Sequence, residues 1–122
     1  MIDPRTGLVI GAAIGVHRAI GPGLLESAYC DCLAVEFADR GIPVRGQVQL
    51  PVRYKGINLA NRYRLDFVAF GEIVIEIKSV ERLLPLHTAQ LLTYLRLGGY
   101  RTGLLLNFNS PVLREGIVRV SN

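Results

Sequence analysis

The chain has 122 residues, half of them hydrophobic and 20% of them charged, which is enough for one domain with a single core and too little for two. This balance excludes an intrinsically disordered chain, and we interpret residues 1–122 as a single domain. The net charge of +4 allows a polyanionic partner.

Two features of the sequence bear on the location of the protein. The longest apolar stretch, residues 8–16, is shorter than the roughly 20 residues of a membrane-spanning helix. His17 and Arg18 follow it, where a signal peptide would need a small-residue cleavage site. Cys30 and Cys32 are two positions apart in a predicted helix, where their side chains do not face each other. We therefore expect a cytoplasmic protein with reduced cysteines and no membrane contact.

Two helices are predicted at the start of the chain. Apolar residues recur at helical spacing over residues 6–20, and Thr6 is the candidate N-cap. The sequence Gly-Pro-Gly at residues 21–23 ends this helix, because Pro lacks an amide hydrogen and Gly tolerates positive φ. A second helix is predicted over residues 24–40, with Gly41 as the terminating residue. Its inward-facing residues are predicted to be Leu25, Ala28, Cys32, Leu33 and Val35.

The rest of the chain shows strand patterns and one more helix. Strands are predicted at residues 44–52, 60–70, 73–79 and 101–108, with a helix at residues 86–97 and a last short strand at residues 117–120. The order α-α-β-β-β-α-β predicts an α/β fold with a central mixed four-stranded sheet flanked by helices. The first three strands form an antiparallel meander, and the third helix leads to a parallel crossover.

The stretch Y-R-L-D-F-V-A-F-G-E-I-V-I-E-I-K at residues 63–78 sets three charges in two apolar strands. If the turn is centred on Gly71, Asp66 and Glu76 lie opposite each other on one face, with Cβ atoms roughly 4.5 to 5.5 Å apart. Strand alternation puts Lys78 on that face too. Two like charges on a half-buried sheet repel, and Mg²⁺, which prefers oxygen ligands, would compensate. The alternative is an ion pair in which Lys78 neutralises one acid and the other reaches solvent.

Four polar residues on the predicted helices have both a structural and a functional interpretation. Glu26 lies in the first turn of the second helix, where the helix dipole alone favours a carboxylate. His87, Gln90 and Tyr94 lie on one stripe of the third helix at spacings of three and four. Without further context they are an exposed histidine, a solvated glutamine and a half-buried tyrosine.

Four motifs occur in order along the chain. They are G-x-x-E-x-x-Y at Gly23, Glu26 and Tyr29, L-D at Asp66, E-I-K at Glu76 and Lys78, and Q-L-L-T-Y at Gln90 and Tyr94. Together they resemble the small G-x-x-E-x-x-Y family of the PD-(D/E)XK nuclease superfamily, over about residues 6–120. The resemblance implies a restriction-endonuclease-like core. The residue before Asp66 is Leu65, where the superfamily motif has proline.

The resemblance also implies roles for the residues of these motifs. Asp66 and Glu76 would hold one or two Mg²⁺ ions, with Mn²⁺ as the alternative, and Glu26 would be an additional acid of the metal site. Lys78 would orient or activate the attacking water. Gln90 would contact the active site.

Further residues are expected to contact the substrate. Tyr94 completes the Q-x-x-x-Y motif. Phosphate contacts are expected from the basic residues near the site, which are Arg62, Arg64, Arg82, His87 and Arg96. The structural alternative is that these arginines are solvated surface residues with no contact to a substrate.

The leading hypothesis is a Mg²⁺-dependent nuclease that hydrolyses phosphodiester bonds of nucleic acid, with DNA favoured over RNA. A carboxylate-held Mg²⁺ stabilises charge on phosphoryl oxygens and generates a nucleophile from water. The rival is a non-catalytic nucleic-acid-binding or protein-interaction module that retains the nuclease fold, because fold does not establish activity. A homodimer whose two sites cut two strands is a further hypothesis.

Overall fold

The structure is a computed structural model and describes residues 3–122. Its α-helices are α1 (Pro4–Ile20), α2 (Glu26–Asp39) and α3 (Pro85–Gly98), and a short 3₁₀ helix spans Leu113–Gly116. Its strands are β1 (Val44–Tyr54), β2 (Ile57–Ala69), β3 (Ile73–Lys78), β4 (Thr102–Asn107) and β5 (Ile117–Ser121). The predicted order of two helices, three strands, a helix and a strand is confirmed, and β5 is the last short strand.

All five strands form one mixed sheet in the order β1-β2-β3-β4-β5. β3 and β4 are parallel neighbours joined through α3, and the other neighbours are antiparallel. The predicted α/β fold, with its meander and its parallel crossover, is therefore confirmed. β5 extends the four expected strands at one edge, where it pairs with β4.

The two faces of the sheet carry two hydrophobic clusters. Ile75 belongs to the cluster beneath α1 and α2, which we name the α1/α2 cluster. Its neighbour Val74 belongs to the cluster that contains Leu91 and Leu95 of α3, which we name the α3 cluster. Because β3 is covered on both faces, a charged side chain on this strand loses much of its hydration.

The start of α1 corrects one prediction. Asp3, and not Thr6, is the N-cap, and its side chain accepts the N–H of Arg5 at 2.8 Å. Pro4 occupies the first helical position, where its fixed φ suits the helix and its missing N–H would have had no partner. Thr6 lies in the first turn and is buried.

The buried stripe of α2 corrects a second prediction. Tyr29, Leu33 and Phe37 are fully buried at intervals of four residues. Leu25 and Val35, which were predicted to face inward, are 78% and 71% exposed. Residues four apart lie on one line of a helix, and this line is the part of α2 that meets the sheet and α1.

The β1–β2 hairpin is longer than predicted. Lys55 and Gly56 form its turn with φ values of 50° and 76°, and Tyr54 pairs directly with Ile57. A two-residue turn with both central residues in the left-handed region follows the natural twist of two strands, so pairing continues to the tip. β2 therefore begins at Ile57 rather than at residue 60.

Two observations bear on the expected location. Among residues 3–122, none of the helices combines the length and the apolar character needed to cross a bilayer. Cys30 and Cys32 are free thiols and are partly buried.

Candidate active site

The candidate site lies where β2 and β3 diverge. The hairpin turns at Phe70 and Gly71, whose φ values of 55° and 68° lie in the left-handed region. Its ladder pairs are Ala69↔Ile73, Val68↔Val74 and Phe67↔Ile75. This is the predicted register, and one further step along it places Asp66 opposite Glu76. The ladder ends before that pair.

Each carboxylate accepts a backbone N–H of the other strand across the gap. The N–H of Asp66 donates to Glu76 Oε1 at 3.1 Å, and the N–H of Ile77 donates to Asp66 Oδ2 at 2.8 Å. Buried backbone donors need partners, and here the two side chains supply them in place of strand pairing. The hydrogen bonds hold both carboxylates at the open end of the hairpin.

The alternation of side chains is interrupted at this point of the sheet. Gln47 of β1 has a φ of 52°, which non-glycine residues seldom adopt, and the register places it opposite Asp66. Leu65 packs in the α3 cluster and Phe67 in the α1/α2 cluster, although residues two apart in a regular strand share a face. The strict alternation of side chains between the two faces, which the sequence predicts, therefore fails at Asp66. This residue lies between Leu65 and Phe67, which face opposite sides of the sheet.

Burial and repulsion act together on the two acids. Burial, and after it the charge of Asp66, raises the pKa of Glu76 to about 8. Burial also raises the pKa of Asp66, against the lowering effect of the hydrogen bond from Ile77. Near neutral pH Glu76 therefore keeps its proton unless another positive charge is supplied.

The second oxygen of each carboxylate has no hydrogen-bond partner among residues 3–122 and is not fully buried. Within residues 3–122, the buried side-chain polar atom that has no hydrogen-bond partner is Thr6 Oγ1. Asp66 Oδ1 and Glu76 Oε2 receive no hydrogen bond in this part of the chain, so they are not enclosed. Two carboxylate oxygens are thus available to an incoming ligand.

Glu26 approaches the same place from α2. It is the first residue of that helix, and it lines a groove of about 320 Å³ together with Asp66 and Arg64. After burial, the charge of Glu26 is one of the effects that raise the pKa of Asp66 and of Glu76. The structure therefore places Glu26, from the G-x-x-E-x-x-Y motif, and Arg64, one of the expected phosphate contacts, in one groove with Asp66.

Two hydroxyl groups hold the loop that precedes α2. Tyr29 Oη donates to the carbonyl of Gly21 at 2.7 Å and accepts the N–H of Leu24 at 3.1 Å. Ser79 Oγ, just after β3, donates to the carbonyl of Leu24 at 2.6 Å. Both backbone groups of Leu24 are therefore bonded. These contacts fix the start of α2 beside the end of β3, and so determine where Glu26 lies.

Lys78 ends β3, and Asn107 anchors the chain that follows it. Lys78 is partly buried, and its ammonium offsets part of the effect of burial on the pKa of both acids. Asn107, its ladder partner on β4, is 2% exposed. The Asn107 side chain accepts the N–H of Val80 at 3.1 Å and donates to the carbonyl of Val80 at 3.0 Å. This clamp fixes the backbone on the far side of Lys78.

α3 supplies two residues from the other side of the hairpin. Burial, and after it the charge of Glu76, raises the pKa of Tyr94, whose ring centroid lies 5.5 Å from that of Tyr63 on β2. Gln90 is exposed and lines a groove of about 340 Å³ with Tyr63 and Tyr94. Gln90 and Tyr94 are therefore together, in a groove separate from the one that Glu26 lines.

His87 takes part in capping α3. Its ring Nδ1 accepts the backbone N–H of Leu84 at 3.0 Å, and the backbone N–H of His87 donates to the carbonyl of Leu84 at 2.9 Å. This reciprocal pair closes the first turn of the helix. In the neutral ring, Nε2 is then the nitrogen that carries the proton and can reach a substrate.

The fold agrees with a comparison of the chain with known families. A family model described as the PD-(D/E)XK nuclease superfamily matches residues 3–120, which include every residue of the site. The chain belongs to this superfamily. Membership of the PD-(D/E)XK nuclease superfamily points to nuclease activity and hence to a nucleic acid substrate. Comparisons with curated proteins and with solved structures give no match.

Nucleases of this superfamily typically use divalent metal ions, and the donor set of this member fits a hard divalent cation. Within residues 3–122, no group of three or more His, Cys, Asp or Glu side chains is arranged to hold a metal ion. Asp66 and Glu76 instead offer one open oxygen each. Mg²⁺ is commonly held by one or two carboxylates, with waters and substrate phosphates as the remaining ligands. The pair therefore fits a cation whose shell is completed by water and substrate.

Several residues that hold the candidate site in place were not predicted to do so. Tyr29 was quoted in the G-x-x-E-x-x-Y motif without a role, and its place one helical turn after Glu26 was the available signal. Asn107 ends an apolar strand, a position where an amide often caps the following loop. Gln47 and Ser79 carried no sequence signal of their own.

Proposed function

We propose that the protein is a Mg²⁺-dependent nuclease of the G-x-x-E-x-x-Y family that hydrolyses phosphodiester bonds of DNA. The observation that carries the proposal is the pair Asp66 and Glu76, which lies at the open end of the hairpin with one free oxygen on each carboxylate. Burial and the charge of Asp66 raise the pKa of Glu76 to about 8. Strongly shifted acids in a groove are typical of functional sites, because nothing in folding requires such crowding.

In this proposal Asp66 and Glu76 hold the ion, which is Mg²⁺ or alternatively Mn²⁺, and Glu26 contributes through the groove that it shares with Asp66. When bound, the ion would stabilise negative charge on the phosphoryl oxygens and lower the pKa of a water molecule. Lys78 orients that water and favours its deprotonated form through the charge of the ammonium. Its position at the end of β3, beside both acids, supports this role.

The remaining predicted residues orient the substrate. Gln90 and Tyr94 do so from α3, on the side of the hairpin where Tyr94 approaches Glu76. Arg64 binds a neighbouring phosphate from the groove that it shares with Glu26. His87 binds through Nε2, because its other ring nitrogen caps the helix.

A cleavage assay tests the proposal. The purified protein is incubated with duplex DNA, single-stranded DNA and RNA, with Mg²⁺, with Mn²⁺ or with a chelator. We expect cleavage of DNA that requires the metal and falls to background in Asp66→Asn and Glu76→Gln. Asp39→Asn and Glu115→Gln make the same chemical changes at exposed acids elsewhere and should cut as wild type does. Equal cleavage by all four variants would contradict the proposed site.

Metal binding is measured separately by thermal melting. A ligand that binds only the native state stabilises it, by about 2.7 kcal/mol at a concentration one hundred times its Kd. We expect Mg²⁺ or Mn²⁺ to raise the Tm of the wild type and to leave the Tm of Asp66→Asn unchanged. Without metal, this variant should be as stable as wild type or slightly more stable, because a repulsion is removed. An equal metal response in both proteins would contradict metal binding at Asp66.

A non-catalytic module is the second candidate function. It is favoured by one observation, the lack of a three-ligand group among residues 3–122. Such a nucleic-acid-binding or protein-interaction module would retain the fold without the chemistry. DNA binding that weakens with salt, with no cleavage under any divalent metal, would establish this candidate in place of the first.

Two further proposals concern the setting of the protein. We propose a homodimer, because one site per chain would require two copies to cut both strands of a duplex together. Light scattering in the presence of duplex DNA tests this, and simultaneous cutting of both strands by a monomer would contradict it. We also propose a reducing, cytoplasmic location, which the free thiols of Cys30 and Cys32 support.

A further inference from the structure

The outer part of the β1–β2 hairpin extends beyond the rest of the sheet. β2 pairs with β3 only through residues 67–69, whereas it pairs with β1 from Ile57 to Ala69. Every residue from 53 to 64 is exposed, and we name this segment the arm. β2 carries two extra residues at a register shift between the pairs Pro51↔Arg62 and Arg53↔Asn58, so the length is taken along β1. At about 3.4 Å per residue, β1 runs about 24 Å from Val48, the ladder partner of the buried Leu65, to the tip at Lys55.

The part of the β1–β2 hairpin that precedes Asp66 carries an excess of positive charge. Residues 44–65 contain five basic residues and no acidic residue, whereas the other 100 residues contain nine basic and ten acidic residues. The five basic residues are Arg45, Arg53, Lys55, Arg62 and Arg64. A surface of this kind attracts a polyanion, and it repels a second copy of itself.

These five charges make few and weak contacts within residues 3–122. None of the five basic residues forms a salt bridge within the described part of the chain. Arg64 makes only a long hydrogen bond of 3.4 Å with Gln47, and the Lys55 ammonium lies over the ring of Tyr54. Packing of the fold therefore does not account for the basic arm.

The arm leads directly to the acids. Arg64 and Asp66 are two residues apart on β2 and line the same groove. Arg62 lies two residues further out, on the same side of the strand as Arg64. A polyanion that follows this row of arginines would bring one of its phosphates to Asp66.

We propose that the arm enters the major groove of duplex DNA and sets the phosphate backbone of one strand at the acids, an inference that rests on the proposed nuclease function. The major groove of B-form DNA is about 12 Å wide and admits a two-stranded β-ribbon. The major groove of A-form RNA is too deep and narrow for side chains to read. The arm therefore selects duplex DNA over duplex RNA.

The test removes charge from the arm and compares the result with an equal loss elsewhere. The arm variant combines Arg53→Gln, Lys55→Gln and Arg62→Gln, all exposed and all outside the metal site. The control variant combines Arg101→Gln, Arg114→Gln and Arg119→Gln, which are also exposed but lie outside the hairpin. Binding to a fluorescent DNA duplex of about 20 base pairs is measured over a range of salt in the presence of a chelator, with duplex RNA and single-stranded DNA of equal length beside it.

We expect the arm variant to bind duplex DNA about tenfold or more weakly than wild type, with a log–log salt slope smaller by about 2 to 3. The control variant should change the slope by about 1 or less. Wild-type protein should bind duplex RNA more weakly than duplex DNA, and the arm variant should lose little there. Equal binding by the two variants would show that the charges of the arm contribute no more to DNA binding than charges elsewhere, which overturns the proposal. An equal loss with RNA and single strands would show a polyanion contact without entry into a groove, which also overturns it.

A crosslinking measurement does not depend on charge substitutions. A photoreactive benzoyl-phenylalanine is placed at Tyr54, near the tip of the arm, and for comparison at Leu8, which is exposed on α1. Crosslinks to duplex DNA from position 54 and not from position 8 are expected. The absence of crosslinks from position 54 would overturn the proposal.

Failure of the arm and failure of the nuclease function are distinguishable. Both charge variants retain Asp66 and Glu76, so their melting response to Mg²⁺ should equal that of wild type. If wild type cuts DNA and the arm variant binds normally, the arm inference is wrong and the nuclease function stands. If wild type binds duplex DNA through the arm but never cuts it, the arm inference stands and the nuclease function is wrong.

Discussion

The two ends of the β2–β3 hairpin carry charge in opposite ways. At the turn, the exposed Glu72 pairs with Arg5 at 2.6 Å, and Arg5 also contacts Asp3 at 3.3 Å. At the open end, Asp66 and Glu76 have the same sign and form no salt bridge within the described residues. The ladder is regular at the first end and stops at the second. The same two strands therefore pair their charges on the surface at one end and crowd them at the other.

This difference indicates which end was selected for something other than stability. An exposed ion pair contributes about 0 to 1 kcal/mol and disturbs nothing around it. A buried carboxylate beside another opposes folding, because each loses hydration and each repels the other. The open end is thus the part of the hairpin where function and stability conflict, and the predictions below test that conflict.

The largest effect is expected from Lys78→Met, which removes the ammonium and keeps the length of the side chain. Cleavage should fall by about 10² to 10⁴, the range for loss of a group that acts on a proton in the reaction. The rise in Tm caused by Mg²⁺ should persist, because the carboxylates remain. Arg114→Met is the matched control, since Arg114 is an exposed cation on the 3₁₀ helix and is not among the residues expected to contact the substrate, and it should cut DNA normally. If Lys78→Met also lost the metal response, Lys78 would be part of the binding site and not of the chemistry.

The next effect concerns pH. The pKa of Glu76 is raised in the folded state from 4.5 to about 8, so the folded protein holds more protons than the unfolded chain between these values. Without metal, the free energy of unfolding should therefore fall as pH rises through this window, and Glu76→Gln should be more stable than wild type at pH 8 by about 2 to 4 kcal/mol. Urea unfolding at pH 5 and pH 8 measures this. Parallel pH curves for the two proteins would contradict the raised pKa.

A moderate effect is expected from Tyr29→Phe, which removes the hydroxyl that bonds Gly21 and Leu24. The loss of two hydrogen bonds in a buried position should lower the free energy of unfolding by about 1 to 3 kcal/mol. Because this hydroxyl fixes the start of α2, the apparent affinity for Mg²⁺ should also weaken. Tyr54→Phe, at an exposed tyrosine, should change neither quantity. Unchanged metal affinity in Tyr29→Phe would show that Glu26 does not contribute to the metal site.

The smallest effect is expected at the turn. Glu72→Gln removes the exposed pair with Arg5 and should lower the free energy of unfolding by about 1 kcal/mol or less, and by less still at high salt. At pH 8, Glu72→Gln should therefore lower the free energy of unfolding, whereas Glu76→Gln on the same hairpin should raise it. If both substitutions destabilised the protein equally, the contrast between the two ends of the hairpin would be wrong.

Much of the fold was predictable because its signals are local. The glycines at positions 21, 23, 41 and 71 ended elements where expected, since positive φ at these points is a property of single residues. The register that places Asp66 opposite Glu76 followed from the turn at Gly71 alone. The N-cap of α1 and the buried stripe of α2 were less predictable. Asp3 and Thr6 are both good N-cap residues, and only the backbone geometry decides between them. Leu25 and Leu33 are equally apolar in sequence, and only the packing of α2 decides which one is buried.

The candidate site was predictable in its residues but not in its construction. Glu26 and Asp66, which two of the four motifs had named, line one groove with Arg64, whereas Gln90 lines another. The supports of that groove come from distant parts of the chain, and neither Gln47 nor Asn107 shows in the sequence that it touches the site. The exposed arm was also missed as a unit, because a strand pattern does not reveal whether a third strand lies beside it.

The sequence by itself determined the type and order of the elements and the set of chemical groups near the open end of the hairpin, because periodicity, turn residues and residue identity act over a few positions. Only the tertiary structure decided that β2 and β3 separate at Asp66, that burial raises the pKa of Glu76 to about 8, and that the basic hairpin projects beyond the sheet. These three properties depend on which distant surfaces exclude water from a given atom, and exclusion of water exists only once the chain has folded.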